Sequence, residues 1–219
     1  QTNRPRTTIP KSFFILNCIH RREEYYLILQ IQLSFHTLNN VPVLHNLATA
    51  YKELGKFDEA INYYNKVLEA VPKHTNAHYN LGLTFYKLND LKKAKSYFKK
   101  TVDIQNNFAL AFFWLANVHA DLKEYNDAVS NYQNAIEINP NLETAHNNLG
   151  LVFNALNDHQ NAIISYKNAV KIKVSHAGAH HNLALTLKNL GEFKEAIKSH
   201  EMALNYEPEN LAHVYYLSE

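Results

Sequence analysis

Asn46, Asn80, Asn148 and Asn182 stand on a grid of 34 residues, and Trp114 holds the slot between Asn80 and Asn148. A carboxamide offers two N–H donors and an oxygen with two lone pairs. Repeated along one surface, such amides can pair with the backbone of an extended peptide without reading its side chains. The residue before each of them is His45, Tyr79, Phe113, Asn147 and His181 in turn. Phe113 and Trp114, with Tyr79 nearby, bring aromatic surface to the middle of the series, which suits an anchoring pocket because binding hot spots favour large rings. Two plainer readings stand beside these. The amides could meet only water, and one of the two central rings could fill the core while the other is exposed.

Other chemistries find less support. Of the thirteen histidines, His176, His180 and His181 show a four-residue spacing used by zinc ligands. Yet His78, His146 and His180 recur at one repeat position, which points to packing, so no metal is expected. If His45 and His181 face a ligand, its binding changes over about pH 5 to 7. The lone Cys18 excludes a disulfide framework and a cysteine-rich zinc site, and suits a reducing, cytoplasmic compartment. Four of the five glycines, Gly55, Gly82, Gly150 and Gly191, fall on repeat positions, which leaves nothing for a phosphate-cradling loop. With no metalloprotease motif or nucleophile elbow either, no catalytic residue and no cofactor is expected.

With 22 basic and 20 acidic residues the net charge is +2, which points to neither a nucleic-acid nor a membrane partner. Lys87, Lys92, Lys93, Lys95, Lys99 and Lys100 form one basic stretch, a solvated face or a patch for an acidic partner. No apolar run approaches the ~20 residues of a bilayer span. The apolar stretch 13–19 follows basic residues but contains Asn17 and leads into His20, Arg21 and Arg22 without a small-residue cleavage site, so a secretion signal is disfavoured.

The elements that position these residues follow from the same period. Five copies align as 41–74, 75–108, 109–142, 143–176 and 177–210. Their eighth residues are Ala48, Gly82, Ala116, Gly150 and Ala184, and their twentieth are Ala60, Ala94, Ala128, Ala162 and Ala196. Large residues fill the gaps, with leucine at the seventh place (Leu47, Leu81, Leu115, Leu149, Leu183) and rings at the twenty-fourth (Tyr64, Phe98, Tyr132, Tyr166; His200 departs). Small and large residues three and four apart share helical faces and let two helices approach closely. Gly55, Asn89, Asn157 and Gly191 mark the stop between the two helices of a unit, with Lys123 the exception. Pro72, Pro140 and Pro208 close the second helix, whereas Asn106 and Val174 predict less sharp junctions. A fixed period of this length predicts a stacked, quasi-one-dimensional array.

These residues resemble the tetratricopeptide repeat over the whole of 41–210. The resemblance implies an all-α fold, a right-handed superhelix (α-solenoid) of antiparallel helix hairpins, with the first helix of each hairpin along an inner groove. It places the fifth, sixth, ninth and twelfth residues of each unit in that groove. His45, Asn46, Tyr79, Asn80, Phe113, Trp114, Asn147, Asn148, His181 and Asn182 are then the expected peptide-binding residues. The asparagine column is similar to the one in the repeat arm of O-linked N-acetylglucosamine transferases. The family's two-carboxylate clamp for chaperone tails is not matched: its places hold His45, Thr49, Leu110 and Trp114, and only Asn80 fits.

The ends depart from the pattern. Residues 1–40 read as a degenerate N-terminal cap or leader; Leu29, Ile31, Leu33 and Phe35 alternate with polar residues as in a strand. Residues 211–219 read as the start of a sixth repeat or a capping helix, so further chain, another domain or a partner is expected after Glu219. The functional expectation is a non-catalytic scaffold that holds a protein or peptide partner, extended or helical, in its groove. The alternative is the substrate-recruiting arm of a larger glycosyltransferase or sulfotransferase. Nothing in the sequence sets an oligomeric state.

Overall fold

The structure, a computed structural model, describes residues 40–208. The expected cap or leader, apart from Asn40, and the expected sixth-repeat start lie outside the described residues. Within them the chain is all-α. In order the helices are α1 (Val41–Glu53), α2 (Phe57–Ala70), α3 (Thr75–Lys87), α4 (Leu91–Ile104), α5 (Ala109–Asp121), α6 (Tyr125–Ile138), α7 (Glu143–Ala155), α8 (His159–Ile172), α9 (Ala177–Asn189) and α10 (Phe193–Tyr206). Helices of 13 residues alternate with helices of 14, and each kind begins again every 34 residues. The chain forms two compact units that divide within α3, between Asn80 and Leu81. In the second unit α5 pairs with α6, α7 with α8 and α9 with α10, and the first helices also touch in series, α5 to α7 and α7 to α9.

Every first helix stops in the same way. The residue two beyond its last turn takes a left-handed conformation: Gly55, Asn89, Lys123, Asn157 and Gly191 have φ of 75°, 58°, 60°, 60° and 79°. The next N–H then reaches back to the helix, as Lys56 N does to Tyr51 O (2.9 Å) and Glu124 N to His119 O (2.8 Å). These bonds satisfy carbonyls the helix end would leave open. Lys123 is an exception in residue type but not in geometry.

The second helices also end in register, at Ala70, Ile104, Ile138, Ile172 and Tyr206. The looser junctions expected at Asn106 and Val174 are not found. The stop lies before the proline site, at an extended residue: Gln105 and Lys173 have φ of −134° and −130°, matching Val71 (−135°) and Asn139 (−134°). Its N–H still bonds the last turn, as Gln105 N does to Thr101 O at 2.9 Å. Proline therefore accompanies the break without causing it.

Small residues meet rings inside each hairpin. Ala60, Ala94, Ala128 and Ala162 have no exposed surface, and Ala196 keeps 4%. Tyr64, Phe98, Tyr132, Tyr166 and His200 are all buried. A Cβ on Gly82 would stand 2.7 Å from the Phe98 ring, and one on Gly150 would stand 2.5 Å from that of Tyr166. Glycine is needed at these two places for the closeness of the approach, not for backbone freedom. In the second unit Ala116, Ala128, Tyr132, Ala145, Leu149 and Val152 form one core cluster that joins two successive hairpins.

Histidines hold the junctions. The Nε2 of His78, His146 and His180 faces the carbonyls of Pro72 (2.9 Å), Pro140 (3.2 Å) and Val174 (2.9 Å). A carbonyl only accepts, so each Nε2 carries the proton. His74 and His176 act at helix N-termini, where Nδ1 accepts from the N–H of Ala77 and of Ala179, both at 3.1 Å. Such a cap requires the unprotonated Nδ1. Burial, then the Lys173 ammonium, hold His176 below the ordinary 6.5, against an opposing pull from Glu143.

Three outcomes follow. Gly150→Ala and Gly82→Ala each lower stability by about 1–3 kcal/mol through overpacking, read from denaturant midpoints at constant m-value. Lys123→Gly raises stability by about 1 kcal/mol, because it relieves a left-handed lysine. The folded state resists the His176 proton more than the unfolded chain does. Its share of stability is therefore complete above about pH 6.5 and is lost as pH falls toward and through the lowered folded value. His176→Asn keeps a capping oxygen and should shrink the loss of melting temperature between about pH 7.5 and pH 5.

Candidate functional site

The first helices of the second unit carry a cleft of about 550 Å³. Its aromatic walls come from the central repeat and its neighbours. Trp114 meets Tyr86 edge-on (ring centroids 5.2 Å apart) and Phe113 likewise (5.4 Å). Tyr125 and Tyr132 complete the aromatic lining. Phe113 also leans on Tyr132, at 6.0 Å, and packs against the core cluster. Both central rings therefore line the cleft, one of them resting on the hairpin core. Leu151, 45% exposed, offers apolar surface to the same space.

The polar lining is pre-ordered. Buried Asn117 accepts at Oδ1 from the Tyr132 hydroxyl and from Asn148 Nδ2, the latter at 3.1 Å. Asn148 Oδ1 accepts from Asn147 Nδ2 (3.2 Å), and Asn147 Oδ1 accepts from Asn182 Nδ2 (3.0 Å). Of the expected amides, Asn147, Asn148 and Asn182 thus bond to one another and to Asn117 across α5, α7 and α9, while Asn46 and Asn80 stand outside this relay. Each amide keeps bonding capacity, since a carboxamide has four sites. Asp121, exposed, is the one charged residue lining the cleft among the described residues. Its Oδ2 accepts from the Tyr86 hydroxyl at 2.7 Å. Burial, then the Asp121 carboxylate, push the Tyr86 hydroxyl up to about 12. Burial raises Tyr132 as well. Both phenols stay protonated donors at neutral pH.

The other expected residues have separate surroundings. In the first unit Asn46 is exposed, and Asn80 Oδ1 accepts from Lys52 Nζ at 2.8 Å while its Nδ2 donates to Asn76 O. His45 packs on Tyr64 (5.5 Å) and His74 (5.1 Å); burial first, then His74 and Lys52, lower its pKa. Tyr79 is half-buried. In the second unit His181 meets His200 edge-on at 5.3 Å. Residues at the fifth position thus rest on the ring at the twenty-fourth wherever His45, Phe113 and His181 show it. Sequence reasoning passed over Asn117, Tyr86 and Asp121. The first two stand at the ninth and twelfth positions, so completing those columns would have found them; Asp121 follows Ala120 and lies outside the rule.

One group has the makings of a cation site. His119 Nδ1 lies 2.6 Å from Glu124 Oε2 and 3.8 Å from Asp127 Oδ2, and the three ligand atoms lie within 4.8 Å of one another. Lys95 Nζ stands 2.5 Å from the same Glu124 oxygen. That ammonium, then the His119 ring, hold Glu124 below its usual value against its partial burial. The carboxylate is already neutralised by the chain itself. No helix among the described residues is long and apolar enough to cross a membrane.

Comparison with known proteins agrees with this architecture. Four tetratricopeptide repeat profiles match residues 39–107, 116–157, 143–174 and 179–215. No curated protein matches the chain. Among solved structures, MamA is 28% identical with a TM-score of 0.71, over 75% of this chain and 96% of that one. YrrB, described as a TPR protein with an unusual peptide-binding site, is 20% identical with a TM-score of 0.72, over 83% and 93%. A thermophilic TPR protein of Thermus thermophilus is 23% identical with a TM-score of 0.61, over 81% and 97%. The ten helices, their left-handed stops and their small-residue seams are those of this fold, and the chain belongs to the tetratricopeptide repeat family.

Proposed function

We propose that the chain is a non-catalytic binding module that takes up a peptide segment of another protein along its first helices and anchors it in the Trp114 cleft. The observation that carries this reading is the cleft itself: about 550 Å³, walled by aromatic rings, beside amides already held in place. Large rings supply contact area at little cost in side-chain entropy, and positioned amides need no reorganisation to meet a backbone. The fold class supports a protein or peptide partner, and YrrB offers a parallel in a protein of the same fold. Phe113, Trp114 and Asn148 line the cleft, Asn147 and Asn182 continue its amides along the first helices, and His181 belongs to the same first-helix surface outside the cleft. His45, Asn46, Tyr79 and Asn80 form the corresponding first-helix surface of the first unit. No observation favours the transferase-arm alternative.

A peptide selected with the full chain from a random-sequence display library provides the test. Trp114→Ala lowers its affinity by about 2 kcal/mol in calorimetry and leaves the far-ultraviolet circular dichroism unchanged. Equal affinity for the variant would remove the cleft from the binding site.

A further inference from the structure

The Trp114 cleft combines ring faces with a single formal charge, and that charge is negative. We infer that the cleft takes a positively charged side chain of the bound peptide, arginine or lysine, seated among Tyr86, Trp114 and Tyr125 and paired with Asp121. The inference rests on the peptide-binding reading and adds the chemistry of the anchor.

Aromatic faces attract cations through their quadrupole, and more so away from water. The protein already uses this contact on its second helices and at α3. Lys66 Nζ lies 4.8 Å from the Tyr63 centroid, Lys93 Nζ 5.0 Å from that of Phe85, and Lys100 Nζ 5.4 Å from that of Tyr97. Among the described residues no such lysine covers Tyr86, Trp114 or Tyr125. The Tyr86 hydroxyl occupies Oδ2 of Asp121 at 2.7 Å, which fixes the carboxylate and leaves Oδ1 to accept from a guanidinium or ammonium. An acidic side chain would meet like charge in this space. An apolar one would strip water from Asp121 and give it no partner, which is costly. A basic side chain fits both surfaces: its methylene stem lies on Leu151 and the rings while its head reaches the carboxylate. Arginine gains most, since its planar head stacks on rings and hydrogen-bonds a carboxylate together.

The chain's only tryptophan is Trp114, so intrinsic fluorescence reports this cleft directly. The probes are heptapeptide pools with randomised flanks and a fixed central residue: arginine, lysine, citrulline, norleucine or glutamate. With the full chain, the arginine pool should half-saturate the fluorescence change at about one tenth the concentration of the citrulline pool, a preference worth about 1.4 kcal/mol. Asp121→Asn should cut that preference to less than about threefold. In the unmodified protein the preference should also shrink as salt rises from about 0.05 to 0.5 M, which tests the charge without any variant. Equal response to all pools overturns the cationic anchor but keeps peptide binding at Trp114. A norleucine or glutamate preference does the same. Silence from every pool overturns the peptide reading and the inference with it.

Discussion

The edge of an aromatic ring pressed against a residue with almost no side chain sets the spacing inside the second and fourth hairpins. Phe98 against Gly82 and Tyr166 against Gly150 show the limit, where a single added carbon would stand 2.7 and 2.5 Å from the ring. Elsewhere alanine takes the same place, as Ala48, Ala116 and Ala184 do without exposed surface. Once two helices meet this closely, their next contacts are largely determined. Interiors are close-packed and respond to one methylene, so the small-and-large alternation acts as a ruler for the array.

In the second unit that ruler places α5, α7 and α9 side by side, and the cleft follows from it. Because α5 touches α7 and α7 touches α9, side chains at equivalent positions come within hydrogen-bond reach. Asn117 and Asn148 join across one such step, and Asn147 and Asn182 across the next. The tyrosines at the twenty-fourth position serve both layers. Their rings fill the hairpin interior, and their hydroxyls emerge at the polar side, as Tyr132 does toward Asn117 and Tyr166 toward Asn154. Core and cleft lining thus share Tyr132 and Val152.

Most of the fold was legible because period and residue size carry it directly. The alanine seams, the leucines and the left-handed stops all stand where the 34-residue grid puts them. The misjudged features depended on backbone conformation that residue type signals weakly. Lys123 turns left-handed like its glycine and asparagine counterparts, and Gln105 and Lys173 end their helices without help from proline. In the cleft, Trp114 and Phe113 stood out by type. Asp121 did not, because an aspartate near a helix end is common, and its meaning comes from Tyr86, 35 positions away in the chain. Pairing among the asparagines was hidden for a like reason: a column of amides looks the same in sequence whether it bonds to itself or to water.

The amide relay has a sense of direction. Asn182 gives its hydrogen to Asn147, Asn147 to Asn148 and Asn148 to Asn117, so every donated proton points the same way along the series. Turning one carboxamide over would set oxygen against oxygen at one neighbour and nitrogen against nitrogen at the other. The links therefore hold one another's orientation, and the surface differs when traversed from its two ends. A strand laid along it N-to-C would meet donors and acceptors in one order, and laid C-to-N in the reverse, which makes this face a vector as well as a shape.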